Sequence, residues 1–195
     1  MPGRRSYLNG MGISAVVDAT HPFATGMSAN ALAACSAEAV PLLRLERPGW
    51  SQAEGAGDWH WVDDHDEAAA LTARLGRRPF LTVGRQALGR FAGPLAGCLR
   101  AGQSGRRTGR RGAGGVDGAA EPGAVPARCG AGTDGRGDVL VTKDSGGTYT
   151  WSKMRVAGEL GIPVVIVRRE PAPRALEVVD DALAAAAWIG TLASR

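Results

Sequence analysis

The chain has 195 residues and a mass of 20.1 kDa, enough for one large domain or two small ones with a hydrophobic core. Hydrophobic residues make up 44% of it, which excludes a chain that is disordered throughout. No apolar run approaches the roughly 20 residues of a membrane span, and the N-terminus lacks the apolar stretch of a signal peptide. Three cysteines without metal-binding spacing indicate no metal site and free thiols in a reducing cytoplasm.

The net charge of +4 comes from one segment. Residues 98–137 contain seven arginines and three acidic residues, a net of +4, so the rest of the chain is neutral overall. This segment is rich in glycine, lacks aromatic residues and shows neither helical nor strand periodicity. It therefore cannot bury enough apolar surface to offset its ordering entropy. We predict that it is disordered and separates two domains, at residues 1–97 and 138–195.

The first predicted domain alternates strands with helices. Apolar runs predict strands at 13–18, 41–46, 59–62 and 79–83, and alanine-rich or amphipathic stretches predict helices at 27–39, 66–75 and 86–91. After residue 137 the same alternation predicts strands at 138–142 and 162–167 and helices at 151–160 and 180–192. This order is typical of α/β proteins with parallel sheets and right-handed crossovers.

Ligands of such sheets bind at the carboxyl ends of the strands, so we expect the binding site in the loops that follow the strands. Those loops read D-A-T-H-P-F-A (18–24), R-L-E-R-P-G-W (44–50), T-V-G-R-Q (82–86), T-K-D-S-G-G-T (142–148) and V-R-R-E-P (167–171). Glycines between a strand and a helix let backbone N–H groups converge on an anion. Arginine side chains at further strand ends suit carboxylates or phosphates; they are Arg44, Arg47, Arg168 and Arg169.

Each feature has a plainer interpretation when taken alone. Gly146-Gly147 could be only a tight turn, and His21 could be an ordinary loop histidine. Asp18 could simply end a strand or cap a helix. The five tryptophans are better explained as packing residues than as surfaces for stacking a ligand.

Taken together and in this order, the five loops resemble those of the precorrin-6A reductase family of cobalamin biosynthesis. The resemblance covers roughly residues 10–96 and 138–195. It implies an α/β fold of two Rossmann-like parallel-sheet units, the first without its N-terminal strand, loop and helix, with the active site between the units. It also implies a reductase that uses NADPH to reduce a carbon–carbon double bond of a polycarboxylate tetrapyrrole, giving precorrin-6B.

The resemblance implies roles for particular residues. The cofactor-binding residues would be Thr20, His21, Pro22, Thr82, Gly84 and Arg85. The substrate-binding residues would be Arg44, Arg47, Lys143, Ser145, Gly146, Gly147, Thr148 and Arg168. The candidates for the proton donor in catalysis are His21, Asp18 and Lys143. Other enzymes of cobalamin biosynthesis are the expected partners, and neither nucleic acid nor a membrane is expected.

The resemblance is lost over residues 98–137, where the family carries a pattern like R-G-P-Y…E-L…L-M. When the codons for residues 116–136 are read from their second base, the genetic code permits this pattern in register. We therefore expect a frameshift over this segment, and a start later than in the family. Reading GC-rich codons out of frame also accounts for the excess of arginine and glycine.

A second hypothesis from another class takes the same segment at face value. Residues 106–112 read R-R-T-G-R-R-G, which is similar to the RGG tracts that bind nucleic acid. The tract contains no lysine and no aromatic residue on which bases could stack. The enzyme interpretation therefore has more support from the residues.

Overall fold

A computed structural model describes residues 7–96, 125–126, 137–148 and 150–193. The elements in chain order are β1 (Val16–Asp18), α1 (Thr25–Ala37), β2 (Leu42–Leu45), β3 (His60–Val62), α2 (His65–Leu75), β4 (Pro79–Thr82), α3 (Leu88–Ala92), β5 (Val125–Pro126), β6 (Val139–Lys143), α4 (Ser152–Glu159), β7 (Val164–Val167), β8 (Glu177–Val179) and α5 (Ala182–Ala193). Short 3-10 helices occupy Ala56–Asp58 and Arg85–Ala87. Apart from β5, nearly all of the segment predicted to be disordered lies outside the described residues.

Two compact units make up the chain, and their boundaries differ from the predicted boundaries at residues 97 and 138. Unit 1 consists of Met1–Ser51, Ser145–Gly147 and Arg169–Arg195, and unit 2 consists of Gln52–Asp144 and Thr148–Arg168. The reason is strand pairing over long sequence distances. Strand β8 pairs with β2, and β3 pairs with β7, so neither unit is one continuous stretch of sequence.

Unit 1 is built on a three-stranded sheet of order β1-β2-β8, in which both strand pairs are parallel. Leu43 at the centre of β2 is fully buried. Helix α1 contributes Ala34 and Cys35 to a small core that also contains Leu8. Strand β8 was not predicted from the sequence, because its three residues are half-buried or exposed and carry no long apolar run.

Unit 2 is built on a five-stranded sheet of order β3-β7-β6-β4-β5. All four residues of β7 and the first four of β6 are buried, as expected for parallel strands covered on both faces. Among the described strands of this sheet, only the short β5 runs antiparallel to its neighbour. The predicted α/β class with two parallel-sheet units is confirmed.

Local signals explain where helix α2 begins and how it packs. Asp64 caps its N-terminus by accepting hydrogen bonds from the backbone N–H groups of Asp66 and Glu67, both at 2.8 Å. Ala68 and Ala69 pack fully buried, so the helix approaches the sheet closely. Among the described residues, no helix is long and apolar enough to cross a membrane.

Candidate active site

The loop that follows β1 is fixed by the side chain of Asp18. Its Oδ1 atom accepts hydrogen bonds from the backbone N–H of Thr20 at 3.0 Å and from the Thr20 hydroxyl at 2.7 Å. Burial by itself would raise the pKa of Asp18. Hydrogen bonds from Ser28 and Thr20, together with the charge of Arg44, outweigh that effect and hold this pKa below its usual value. Asp18 is therefore a stable carboxylate at neutral pH.

Arg44, at the end of β2, lies buried with only 3% of its surface exposed. Its Nη1 atom lies 2.9 Å from Asp18 Oδ2 and also donates to the Thr20 hydroxyl at 3.0 Å. Its Nε atom donates to Glu46 Oε2 at 3.0 Å. These contacts give Arg44 a structural role, because a ligand carboxylate could bind its guanidinium only after the ion pairs with Asp18 and Glu46 were broken.

Glu46 extends this ion-pair network to a second arginine. Arg169 donates from Nη1 to Glu46 Oε1 at 3.1 Å and to the backbone carbonyl of Arg47 at 2.8 Å. Glu46 was not among the predicted site residues. The signal that could have found it is its position directly after a strand that contains a buried arginine.

The Ser145-Gly146-Gly147 tripeptide belongs to unit 1 and is held there by the loop after β2. Arg47 Nε donates to the Ser145 carbonyl at 2.9 Å, and the Gly147 N–H donates to the Pro48 carbonyl at 3.2 Å. The indole N–H of the buried Trp50 donates to the Gly147 carbonyl at 2.9 Å. Backbone conformation therefore depends here on three separate contacts.

Only glycine fits at the centre of this tripeptide. Gly146 and Gly147 have φ angles of +65° and +68°, which side chains other than hydrogen rarely tolerate. A Cβ atom at Gly146 would collide with the Pro48 carbonyl and with Arg169, and one at Gly147 would lie 2.9 Å from the Arg47 Cδ atom. The two glycines are thus required for close approach of the backbone, which is more than a tight turn needs.

A cavity of about 330 Å³ opens at the carboxyl edge of the unit 1 sheet. Thr20, His21 and Arg47 line it, together with Asp180 and Asp181 in front of α5. Asp181 caps this helix by accepting a hydrogen bond from the N–H of residue 184 at 2.8 Å. A second cavity, of about 840 Å³, lies along β1 and α1 and is lined mostly by apolar side chains. Of these two cavities, the first is therefore the one with the larger share of polar groups.

The carboxyl edge of the unit 2 sheet carries a different set of groups. A Cβ atom built on Gly84 would lie 3.7 Å from the Lys143 Nζ atom, so the lysine lies over the turn after β4. Burial, and then the positive charges of Lys143 and Arg90, lower the pKa of His65. His65 is therefore neutral at neutral pH. The Thr82 hydroxyl donates to the Val141 carbonyl at 3.0 Å.

Arg168, at the end of β7, is half-exposed and paired with a carboxylate. Its Nη1 atom lies 2.7 Å from Asp63 Oδ1, and its guanidinium carbon lies 5.9 Å from the ring centre of Trp61. Arg85, which follows β4, and Thr148, which follows β6, are also exposed.

The predicted site residues thus fall into two groups. Unit 1 contains Asp18, Thr20, His21, Pro22, Arg44, Arg47, Ser145, Gly146 and Gly147; unit 2 contains Thr82, Gly84, Arg85, Lys143, Thr148 and Arg168. Each group lies at the carboxyl edge of its own parallel sheet. That the two groups serve one ligand stays a prediction. Among the described residues, no cluster of three or more His, Cys, Asp or Glu side chains is placed to hold a metal ion.

Comparison with known proteins identifies the family of this chain. The model of the family described as Precorrin-6x reductase CbiJ/CobK matches residues 1–101 and 133–189, well over half of the sequence. The chain belongs to this family. The match of this reductase family leaves out residues 102–132, which lie inside the Gly/Arg-rich segment.

Named relatives and a solved structure agree with the family. Precorrin-6A reductase of Rhodococcus erythropolis is 42% identical over 94% of this chain and 74% of its own length. The enzyme of the same name from Mycobacterium tuberculosis is 36% identical over 99% of this chain and 78% of its own length. The solved structure of "CobK precorrin-6A reductase" superposes with a TM-score of 0.66 at 26% identity, covering 97% of this chain and 76% of that one. None of these names points to nucleic-acid binding.

Proposed function

We propose that this protein reduces a carbon–carbon double bond of the tetrapyrrole precorrin-6A, giving precorrin-6B, with NADPH as the hydride source. The observation that carries the proposal is membership of the precorrin-6x reductase family, with relatives of that activity matched over most of the chain. The polar strand ends of both sheets support it, because a polycarboxylate substrate and a phosphate-bearing cofactor both need cationic and N–H donors.

The residues present fit a nicotinamide cofactor. NADPH supplies the hydride when it is bound. Gly84 has a φ of +84°, and the turn there leaves room for a ligand to approach the backbone. We propose that Thr82, Gly84 and Arg85 contact the cofactor together with the loop at residues 20–22, which carries Thr20, His21 and Pro22.

The substrate carboxylates need cationic or N–H donors. Arg47 and Lys143 are the charged groups that we propose for them, with the backbone of residues 145–147 and the exposed Thr148 as further donors. Arg44 and Arg168 already pair with carboxylates, which makes them weaker candidates than the sequence suggested.

One side chain must supply a proton to the reduced carbon. Asp18 is the weakest of the three candidates, because its buried and ion-paired carboxyl group has a lowered pKa and is ionised at neutral pH. His21, exposed at the cavity of unit 1, and Lys143 stay as the candidate donors.

We propose that the enzyme acts in the cytoplasm, where other enzymes of cobalamin biosynthesis would supply its substrate.

An assay of NADPH oxidation in the presence of precorrin-6A tests this function. We expect substrate-dependent oxidation from a version of the chain whose segment 98–137 is restored to the alternative frame, and a lower rate from the chain as printed. Reactions without substrate are the control for background oxidation. A folded, restored chain that leaves NADPH unchanged would contradict the proposed function.

Sequencing the coding DNA tests the frameshift separately. We expect the codons of residues 116–136 to encode R-G-P-Y and, further on, L-M when read in the shifted frame. The compensating insertions or deletions should lie near residues 92–102 and near 137. A stop codon in the shifted frame, or the absence of that pattern, would contradict the frameshift and leave the family membership unaffected.

A further inference from the structure

The arginines at the strand ends differ in whether a carboxylate already neutralises them. Arg44 pairs with Asp18 and Glu46, and Arg169 pairs with Glu46. Arg47 is exposed, and its guanidinium makes no ion pair with any residue that the structure describes. Among the described arginines at this edge of unit 1, Arg47 is therefore the one without an ion pair, and it shares its cavity with the carboxylates of Asp180 and Asp181.

Four of the neighbouring charges cancel one another. Two carboxylates, from Asp18 and Glu46, face two guanidinium groups, from Arg44 and Arg169. Each Glu46 oxygen is taken by a different arginine, Oε2 by Arg44 at 3.0 Å and Oε1 by Arg169 at 3.1 Å. The side chains of Glu46 and Arg169 are each 13% exposed, so solvent screens this pair only weakly.

Arg169 also touches the backbone of Arg47 itself. The same Nη1 atom that meets Glu46 donates to the Arg47 carbonyl at 2.8 Å. The Arg47 side chain then reaches the Ser145 carbonyl through Nε and lines the 330 Å³ cavity. One guanidinium thus both cancels the adjacent negative charge and fixes the backbone from which Arg47 extends.

From this arrangement we infer that Arg47 is the carboxylate receptor of the unit 1 strand edge and that Arg169 is its positioning residue. Arg169 acts by cancelling the charge of Glu46 and anchoring the Arg47 carbonyl. Without Arg169, the charge of Glu46 is no longer cancelled and adds to the negative charges of Asp180 and Asp181 in the same cavity, so an anionic ligand at Arg47 is repelled more strongly. The inference rests on the proposed function for the polycarboxylate nature of the ligand.

Binding of uroporphyrin, a stable polycarboxylate porphyrin, to the full chain tests this role through fluorescence titration. We expect Arg47→Leu and Arg169→Leu each to raise the dissociation constant about tenfold, in the range of one lost charged hydrogen bond. Arg155→Leu is the matched control, because Arg155 is an exposed arginine paired with Glu159 on α4, and it should bind as the unmodified chain does.

The decisive variant combines Glu46→Gln with Arg169→Leu. It removes both charges of the pair, so we expect it to regain most of the affinity lost in Arg169→Leu. Circular dichroism of each variant reports whether the fold is retained. A general loss of structure in Arg169→Leu would not be repaired by a second substitution that breaks a further ion pair.

The possible failures are distinct. If Arg169→Leu binds as tightly as the unmodified chain, the positioning role of Arg169 is overturned, and if adding Glu46→Gln restores nothing, its role in cancelling the charge of Glu46 is overturned. The proposed function stands in both cases. If the unmodified, folded chain does not bind uroporphyrin at all, the proposed substrate class is overturned, and the inference with it.

Discussion

The carboxyl edges of the two sheets use positive charge in opposite ways. In unit 1, Arg44 and Arg169 are buried or nearly so and compensated by carboxylates, whereas Arg47 has no ion pair with any residue that the structure describes. In unit 2, Lys143 and Arg90 repel the protonated form of the partly buried His65, and the pair of Arg168 with Asp63 is exposed. The same signal in the sequence, a basic residue after a strand, therefore marks a structural ion pair in one place and a group available for a ligand in another.

Arg44→Leu should have the largest effect, because it breaks the buried network of unit 1. The substitution leaves the carboxylates of Asp18 and Glu46 without their shared partner. We expect a loss of about 3–5 kcal/mol in the free energy of unfolding, measured by denaturant titration. Arg168→Leu is the control in unit 2, where loss of an exposed pair should cost at most about 1 kcal/mol. Equal losses in the two variants would remove the contrast between the edges.

Lys143→Ala probes the edge of unit 2 by two measurements. We expect the binding of a polycarboxylate ligand to weaken by about 1–3 kcal/mol, the range for a charged hydrogen bond. The same change removes a positive charge beside His65, so the pKa of that imidazole should rise toward its ordinary value in an NMR titration. An unchanged ligand affinity would remove Lys143 from the site, whatever happens to His65.

Gly146→Ala tests how tightly the unit 1 edge constrains its glycine loop. The alanine would combine a φ of +65° with a collision against the Pro48 carbonyl, so we expect a loss of about 1–3 kcal/mol in stability. Gly158→Ala is the control, because Gly158 lies in helix α4 with open space around it and should be neutral or stabilised by about 0.5–1 kcal/mol. A Gly146→Ala chain as stable as the original would mean that the loop shifts freely.

Acid should weaken unit 1 gradually through Asp18. Its pKa in the folded state is lowered, so its contribution to stability is fully present above the ordinary aspartate pKa and is lost as the pH falls below about 4. Asp18→Asn should flatten this part of the stability profile, measured by denaturation at a series of pH values. A profile of the same slope in both proteins would show that other carboxylates cause the acid sensitivity.

His65 is a base where Asp18 is an acid, but its lowered pKa also makes the folded protein less stable as the pH falls. Its folded-state pKa is lowered, so the unfolded chain binds more protons, and stability falls as the pH decreases through the ordinary histidine range. Because burial is the largest cause of this shift, Lys143→Ala should reduce the effect without abolishing it.

Most of the regular elements follow from local signals in the sequence. The apolar runs predicted the buried strands β2, β6 and β7 to within about two residues, and the stretch at 66–75 predicted helix α2, which begins one residue earlier at His65. Five short loop motifs were sufficient to identify the family that the comparisons then showed. These features could be predicted because strand burial, helix capping and motif spacing are each written within a few neighbouring residues.

Other features were decided only by the tertiary structure, because they depend on residues far apart in the chain. Strand β8 forms through its pairing with β2. Unit 2 combines separate stretches of the sequence because β3 pairs with β7, about a hundred residues further along the chain. Arg44 and Arg47 look alike in the sequence, yet one meets Asp18 across the sheet and the other meets no carboxylate in the described part of the chain. A side chain's charge is set by its residue type, but whether that charge remains available depends on which partners the fold brings within about 4 Å of it.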